Sequence, residues 1–169
     1  MDAAELRAMQ APIKERYKQD PAAAVITLKA RGSIENEGLT CKVETGRALA
    51  VAGLHPATGG SGLELCSGDM LLEALVACAG VTLKAVATAL AIPLRSGTVS
   101  AEGDLDFRGT LGVDKEAPVG FAEIRLRFEV GTDAPQDKLD LLLKLTERYC
   151  VVYQTIKNGP KVSVTMQRV

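Results

Sequence analysis

Four cysteines are the residues of this sequence best suited to chemistry, and two of them lie on long apolar segments. Cys78 lies in the middle of the segment Ser67–Ala91, and Cys150 follows 72 residues later; Cys41 and Cys66 lie outside such segments. None forms a CxxC pair, and intracellular proteins rarely keep structural disulfides. A pair of buried thiols therefore suggests redox chemistry, although each cysteine could also be a small buried hydrophobic residue.

The reactive form of a cysteine is its thiolate, and burial raises the pKa of a thiol unless a cation lies close. We expect neither thiol in the first turn of a helix, so a helix dipole would help little. Arg47 is the best candidate cation, whereas Lys84 and Arg148 are expected to point away. A thiolate could attack the O–O bond of a peroxide, and the second thiol could convert the resulting sulfenic acid to a disulfide.

The segment around Cys78 has the pattern of a buried helix. Ser67 predicts an N-cap, Asp69 favours the positive end of the dipole, and Pro93 follows the predicted end. At 100° per residue, Cys78 projects roughly 140° away from Glu73, among small side chains. We therefore expect the thiol to face a packed or partner-covered surface.

The segment around Cys150 predicts a second apolar helix. It starts near Asp133 or Pro135, continues through Cys150, and stops at Asn158-Gly159-Pro160. If the two helices pack together, the two cysteines could come within disulfide range, which is about 4.4 to 6.8 Å between Cα atoms.

The rest of the chain predicts one further helix and several strands. The predicted helix is Ala3–Lys18, and the predicted strands are Ala22–Arg31, Gly38–Thr45, Ala48–Leu54, Thr98–Arg108, Phe121–Val130 and Lys161–Val169. Phe121–Val130 alternates apolar and charged residues, which is typical of a half-buried antiparallel strand. The order α, βββ, α, ββ, α, β predicts an α+β protein with antiparallel sheets around two buried helices.

Composition narrows the possible functions. The chain has 169 residues, 47% of them hydrophobic, and a net charge of −1. One domain over residues 1–169, with a helical extension over 1–20, is the expected organisation. The balanced charge argues against nucleic acid or an anionic membrane as partner, and the absence of a signal-like or membrane-spanning run favours a cytoplasmic location. The single histidine and the cysteine spacing predict no metal site, and we expect no cofactor.

Three stretches together resemble the OsmC/Ohr family of thiol-dependent peroxidases. They are HPATGGSG, then SGDMLLEALVACAGVTL, and far downstream a helix ending ERYCVVYQTI. The resemblance implies an OsmC-like fold, βββαββαβ, in an intertwined homodimer whose sheets wrap the central helices. It also implies reduction of organic hydroperoxides, and often of hydrogen peroxide, with a dithiol such as a lipoylated protein as reductant.

The resemblance also assigns roles to individual residues. Cys78 is similar to the peroxidatic cysteine, Cys150 to the resolving cysteine, Arg47 to the catalytic arginine, and Asp69 to its acidic partner. The chain departs from the family pattern where Asp69 follows Gly68 instead of the usual proline–acid pairing. It departs again where Val151 follows the second cysteine, a position that is usually proline in one branch of the family. These departures place it among the OsmC-like members.

Simpler interpretations exist for the supporting residues and for the protein. Asp69 is equally understood as an acid that stabilises a helix start, and Arg47 as a solvated turn residue. The alternative function is a non-catalytic dimer that binds an apolar small molecule at its subunit interface. A purely structural interaction domain is the third possibility.

Overall fold

The computed structural model describes residues 2–19, 31–34, 41–44, 49–112 and 114–168, and only the backbone of 9, 12–18, 31–34, 41–44 and 49. Its helices are α1 (Ala3–Gln19), α2 (Ser67–Ala89), α3 (Phe107–Thr110), α4 (Gln136–Tyr149) and α5 (Val151–Asn158). Its strands are β1 (Arg31–Ile34), β2 (Cys41–Glu44), β3 (Leu49–Gly53), β4 (Leu65–Cys66), β5 (Ser96–Leu105) and β6 (Phe121–Gly131). The mixture of helices and small sheets confirms the predicted α+β class.

The first sheet has the order β1-β2-β3-β4. β1 to β3 are antiparallel neighbours, whereas the two-residue β4 runs parallel to β3 and leads directly into α2. The predicted strands Gly38–Thr45 and Ala48–Leu54 correspond to β2 and β3. The predicted strand Ala22–Arg31 lies outside the described residues except for Arg31, which starts β1.

The second sheet is the antiparallel hairpin β5–β6, as its alternating sequence predicted. Alternate residues along β5 turn inward against α2. A Cβ placed on Gly80 of α2 would lie 3.6 Å from the Val99 side chain, so helix and strand are in van der Waals contact there. Gly103 is required for a closer approach, because a Cβ on it would lie 2.5 Å from the ring of Phe121.

The main core cluster lies between α2 and α4. Its buried members are Leu83, Val86, Ala87, Ile92 and Leu142. Partly buried apolar residues of β6, including Phe128 and Val130, pack against this cluster. The core therefore joins the central helix, the second apolar helix and the hairpin, and it positions the middle of α2 against the end of α4.

Helix α2 begins and ends close to its predicted limits. The N-cap is Cys66 rather than Ser67, because the extended backbone of Cys66 continues from β4 and Ser67 is already helical. The helix ends where Ala91 adopts a left-handed φ of 54°. The N–H of Ile92 then donates to the carbonyl of Ala87 at 2.8 Å, which satisfies a free carbonyl at the helix end.

By length and composition alone α2 could cross a membrane, with a mean hydropathy of 1.8 over an 18-residue window. Here it contacts α1, α4, α5, β4 and β5. Because so many elements pack on it, we interpret α2 as the central core helix of this fold.

Two further sequence predictions were wrong. The second apolar helix is not continuous, since it breaks at Cys150 into α4 and α5. The end of the chain, predicted as the strand Lys161–Val169, forms no strand over the described residues 161–168. Its alternating residues Val162 and Met166 are 81% and 97% exposed, because no strand edge of the described chain pairs with this segment.

We expect Leu142→Ala to destabilise the fold by about 2–5 kcal/mol, the usual effect of removing a fully buried leucine. Leu142 is 2% exposed, whereas its neighbour Leu141 is 39% exposed and provides the matched control. Urea unfolding at one protein concentration measures both variants. An equal decrease in the free energy of unfolding in Leu142→Ala and Leu141→Ala would contradict the assigned core.

Candidate active site

The structure brings the thiols of Cys78 and Cys150 together. Cys78 lies in the middle of α2, and Cys150 lies at the junction between α4 and α5, both of which pack on α2. The two sulfurs are hydrogen-bond neighbours, and both thiols are free. Cys78 is half-buried, whereas Cys150 is only 1% exposed.

The break at Cys150 determines the chemistry of this pair. Cys150 has φ −73° and ψ 108°, so it is extended and serves both as C-cap of α4 and as N-cap of α5. Its N–H donates to the carbonyl of Thr146 at 3.0 Å, and its carbonyl accepts the N–H of Gln154 at 2.9 Å. The Gln154 side chain also donates to the carbonyl of Glu147 at 2.7 Å, which ties the two helices together across the break.

The N-terminus of α5 points its free N–H groups at the sulfur of Cys78. The first N–H groups of a helix have no acceptor within the helix and carry its positive dipole end. Burial opposes ionisation of Cys78, but the N–H groups of Val152 and Val151, the Cys150 thiol and the Thr82 hydroxyl outweigh it. Together they lower the pKa of Cys78 below that of an ordinary thiol.

The pKa of Cys150 is shifted in the opposite direction. Burial raises its pKa, and hydrogen bonding and proximity to the Cys78 thiolate raise it further, although the N–H groups of Tyr153 and Val152 partly offset this. Because the pKa of Cys78 is lowered and that of Cys150 is raised, loss of the first proton is favoured at Cys78. The surroundings therefore favour ionisation of Cys78 and oppose ionisation of Cys150.

Of the other two predicted residues, the structure describes only Asp69, which lies away from the thiols. Arg47 lies outside the described residues. Asp69 is exposed in the first turn of α2, nine residues before Cys78 or roughly 13 Å along the helix axis. It lines a separate cavity of about 330 Å³ together with His55 and Cys66.

Sequence reasoning missed the main thiolate donors. The N–H groups of Val151 and Val152 became donors only because the helix breaks at Cys150, and no glycine or proline marks that break. The β-branched Val-Val pair was the weak signal available. Thr82 could have been found, since it lies four residues after Cys78 on the same helix face.

An apolar cavity of about 470 Å³ lies between α2, α4, α5 and the hairpin. Leu75, one turn before Cys78, lies on its wall together with Tyr153, which follows Cys150 by three residues. The hairpin contributes further apolar walls, including Phe121 and Phe128. Neither Cys78 nor Cys150 lines this cavity, which is large enough to hold an alkyl or aryl group.

No cluster of three or more histidine, cysteine, aspartate or glutamate side chains able to hold a metal occurs among the described residues. The described site is therefore a pair of sulfurs surrounded by hydrogen-bond donors.

Comparisons with known proteins agree with this fold. The family model of OsmC-like proteins matches residues 59–165. A similar solved structure is an OsmC-like protein from Mycoplasma pneumoniae, with a TM-score of 0.65 and 15% identity over 79% of this chain and 89% of that chain. A search of curated protein sequences gives no significant match.

Two further similar structures are described by their names as organic hydroperoxide resistance proteins. The OsmC protein of Legionella pneumophila has a TM-score of 0.61 and 16% identity over 80% of this chain and 92% of that chain. The OhrB protein of Bacillus subtilis has a TM-score of 0.52 and 17% identity over 78% of this chain and 93% of that chain. At these identities the likeness establishes the shared fold.

We expect Val151→Pro to weaken the ionisation of Cys78. Proline is tolerated at the first position of a helix but has no N–H, so one donor to the sulfur is lost. A hydrogen bond to a charged group is worth about 1.5–3 kcal/mol, which predicts a fall of roughly ten- to a hundredfold in the ionisation constant of Cys78. The pH profile of Cys78 alkylation, followed by peptide mass spectrometry, measures this.

The matched control is Val152→Ala, which keeps both N–H groups and should leave the alkylation profile near that of the parent. An unchanged profile in Val151→Pro would show that the N-terminus of α5 does not stabilise the thiolate.

Proposed function

Because the chain belongs to the OsmC-like family, we propose that it is a thiol-dependent peroxidase that reduces organic hydroperoxides. The observation that supports this most is the half-buried Cys78 thiol, whose pKa is lowered by hydrogen-bond donors and which lies next to the Cys150 thiol, whose pKa is raised. The names of similar structures, which refer to organic hydroperoxide resistance, agree with the proposal.

In the proposed reaction, the Cys78 thiolate attacks the distal oxygen of the hydroperoxide. The O–O bond breaks, the departing alkoxide takes a proton and leaves as an alcohol, and Cys78 becomes a sulfenic acid. The sulfur of Cys150 then attacks the Cys78 sulfur, water leaves, and a disulfide forms. A dithiol returns two electrons and two protons, which restores both thiols.

The difference in pKa between the two thiols determines the order of these reaction steps. A nucleophile must be ionised before it meets the peroxide, and the donors around Cys78 favour that ionisation. Cys150 is ionised less readily while Cys78 is a thiolate, because the two negative charges would lie side by side. Once Cys78 is a neutral sulfenic acid, that repulsion disappears and Cys150 can lose its proton and attack.

We extend the proposal to Arg47 and Asp69 on the basis of the family resemblance. Arg47 would stabilise the thiolate and the negative charge that develops on the departing oxygen, and Asp69 would orient Arg47. In this proposal they supplement the backbone N–H groups of α5.

A homodimer is part of the proposal, because α2 remains poorly covered within one chain. Only 28% of its most apolar 18-residue window is buried, and Val81 is 72% exposed. The terminal segment adds exposed apolar residues such as Val164. A second copy would cover such surfaces, which isolated soluble domains rarely expose together. We propose a cytoplasmic dimer reduced by a dithiol such as a lipoylated protein.

Cysteine substitutions test the catalytic assignment. Cys78→Ser should abolish reduction of tert-butyl hydroperoxide, because an alcohol is not ionised near neutral pH. Cys150→Ser should still consume one peroxide per chain and accumulate a sulfenic acid, detectable with dimedone, because nothing resolves it. Cys66→Ser, which changes a cysteine in the separate cavity, serves as control and should keep full turnover with a dithiol. Undiminished turnover in Cys78→Ser would refute the assignment.

The apolar cavity between α2, α4, α5 and the hairpin favours one alternative, a non-catalytic protein that binds an apolar small molecule. Thiol titration before and after one equivalent of peroxide separates the two functions. Selective loss of two thiols per chain, mapped to Cys78 and Cys150, supports the peroxidase. Retention of all thiols supports the binding protein.

A further inference from the structure

Thr82 is the hydroxyl group nearest to Cys78 along α2. Its side chain, four residues after Cys78, donates to the backbone carbonyl oxygen of Cys78 at 2.7 Å. The same hydroxyl is a hydrogen-bond neighbour of the Cys78 sulfur. It is half-buried, so few water molecules compete for it.

A threonine hydroxyl has one hydrogen and can donate to only one of these two acceptors at a time. While Cys78 is a neutral thiol, the hydrogen points at the carbonyl. That carbonyl also accepts the N–H of Thr82 through the regular helix bond, which joins residues four apart. It therefore keeps a partner when the hydroxyl rotates away, and the rotation is inexpensive.

A thiolate is a much better acceptor than a carbonyl oxygen that already has a partner, because a charged acceptor forms the stronger hydrogen bond. We propose that the Thr82 hydroxyl rotates from the Cys78 carbonyl to the Cys78 sulfur when that thiol ionises, and so serves as a side-chain donor to the reacting sulfur. The inference rests on the proposed role of Cys78.

Thr82 differs from the other donors because it lies on the same helix as Cys78. Val151 and Val152 reach the sulfur from α5, and the Cys150 thiol does so from the α4–α5 junction, so their contributions depend on how these elements pack on α2. The Cys150 thiol is also lost as a donor once Cys150 attacks. The Thr82 hydroxyl, one helical turn from Cys78, remains beside the sulfur at every stage.

The groups that surround Cys78 determine what else could affect its ionisation. Cys150 faces it from the junction of α4 and α5, and Glu147, Tyr153 and Lys157 line the neighbouring cavity from those two helices.

On β5, Glu102 and Asp104 are exposed and interact with Arg125 on the outer face of the hairpin. Asp69 and Glu73 are exposed earlier on α2, and Lys84 is exposed two residues after Thr82.

The test compares Thr82→Val with Thr88→Val. Thr88 makes the same bond on the same helix, to the carbonyl of Lys84 at 2.8 Å, ten residues away from Cys78. In fully reduced protein, the rate of Cys78 alkylation by iodoacetamide is followed against pH by peptide mass spectrometry. Thr82→Val should raise the pH at the midpoint of this alkylation profile. It should also lower the alkylation rate of Cys78 at pH 7 about threefold to tenfold, the effect of about one lost hydrogen bond.

The conservative variant Thr82→Ser, which keeps a hydroxyl, should return the profile towards the parent, and Thr88→Val should match the parent. A parental midpoint in Thr82→Val would overturn the inference, and so would an equal shift in Thr88→Val, which would reveal a general effect on the helix.

This measurement uses no peroxide, so it separates the inference from the proposed function. A raised midpoint in Thr82→Val in a protein without peroxidase activity would support the donor role and refute the peroxidase. Peroxidase activity together with an unchanged midpoint would support the peroxidase and refute the donor role.

Discussion

A thiolate that loses contact with water is stable only where hydrogen-bond donors replace the solvent. In this protein the donors come mainly from the backbone, at the point where α5 begins beside the middle of α2. A helix start provides several N–H groups without internal partners, and its dipole favours a negative charge. The rest of the structure can be understood as the support that keeps this helix start pointed at Cys78.

That support combines a rigid central helix with a tied junction. The core cluster holds α2 against α4, and the hairpin β5–β6 covers another side of α2. Across the break, the Gln154 side chain bonds to the carbonyl of Glu147 and limits how far α5 can swing away from α4. Because a small displacement would lengthen the N–H contacts to sulfur, the packing of three elements controls the acidity of one thiol.

The same arrangement makes the two sulfurs unequal. Cys150 is buried and donates to its neighbour, whereas Cys78 is half-buried and accepts from several groups. Two identical side chains thus acquire the different acidities that an ordered two-thiol reaction requires, and no metal-binding cluster takes part in the described region.

Local patterns in the sequence determined much of this protein. Apolar spacing predicted α2 and its end before Pro93, and strict alternation predicted the β5–β6 hairpin. Both predictions were possible because, when one face of a helix or strand is buried, apolar residues recur in the sequence with the period of that element. The resemblance carried by Cys78 and Cys150 indicated the family that the matched region confirms. The two cysteines could be recognised as a pair because the sequence predicts each of them on its own apolar helix.

Only the tertiary structure decided which thiol loses its proton and how. The break at Cys150 carries no glycine or proline, and a continuous helix satisfies the same apolar spacing, so periodicity could not reveal it. The terminal segment shows that alternation alone could not predict a strand either. Its alternation fits a strand, yet a strand needs a partner edge, and the described chain provides none for residues 161–168. Periodicity records which side of an element is apolar, whereas donors and partner edges come from residues distant in the sequence.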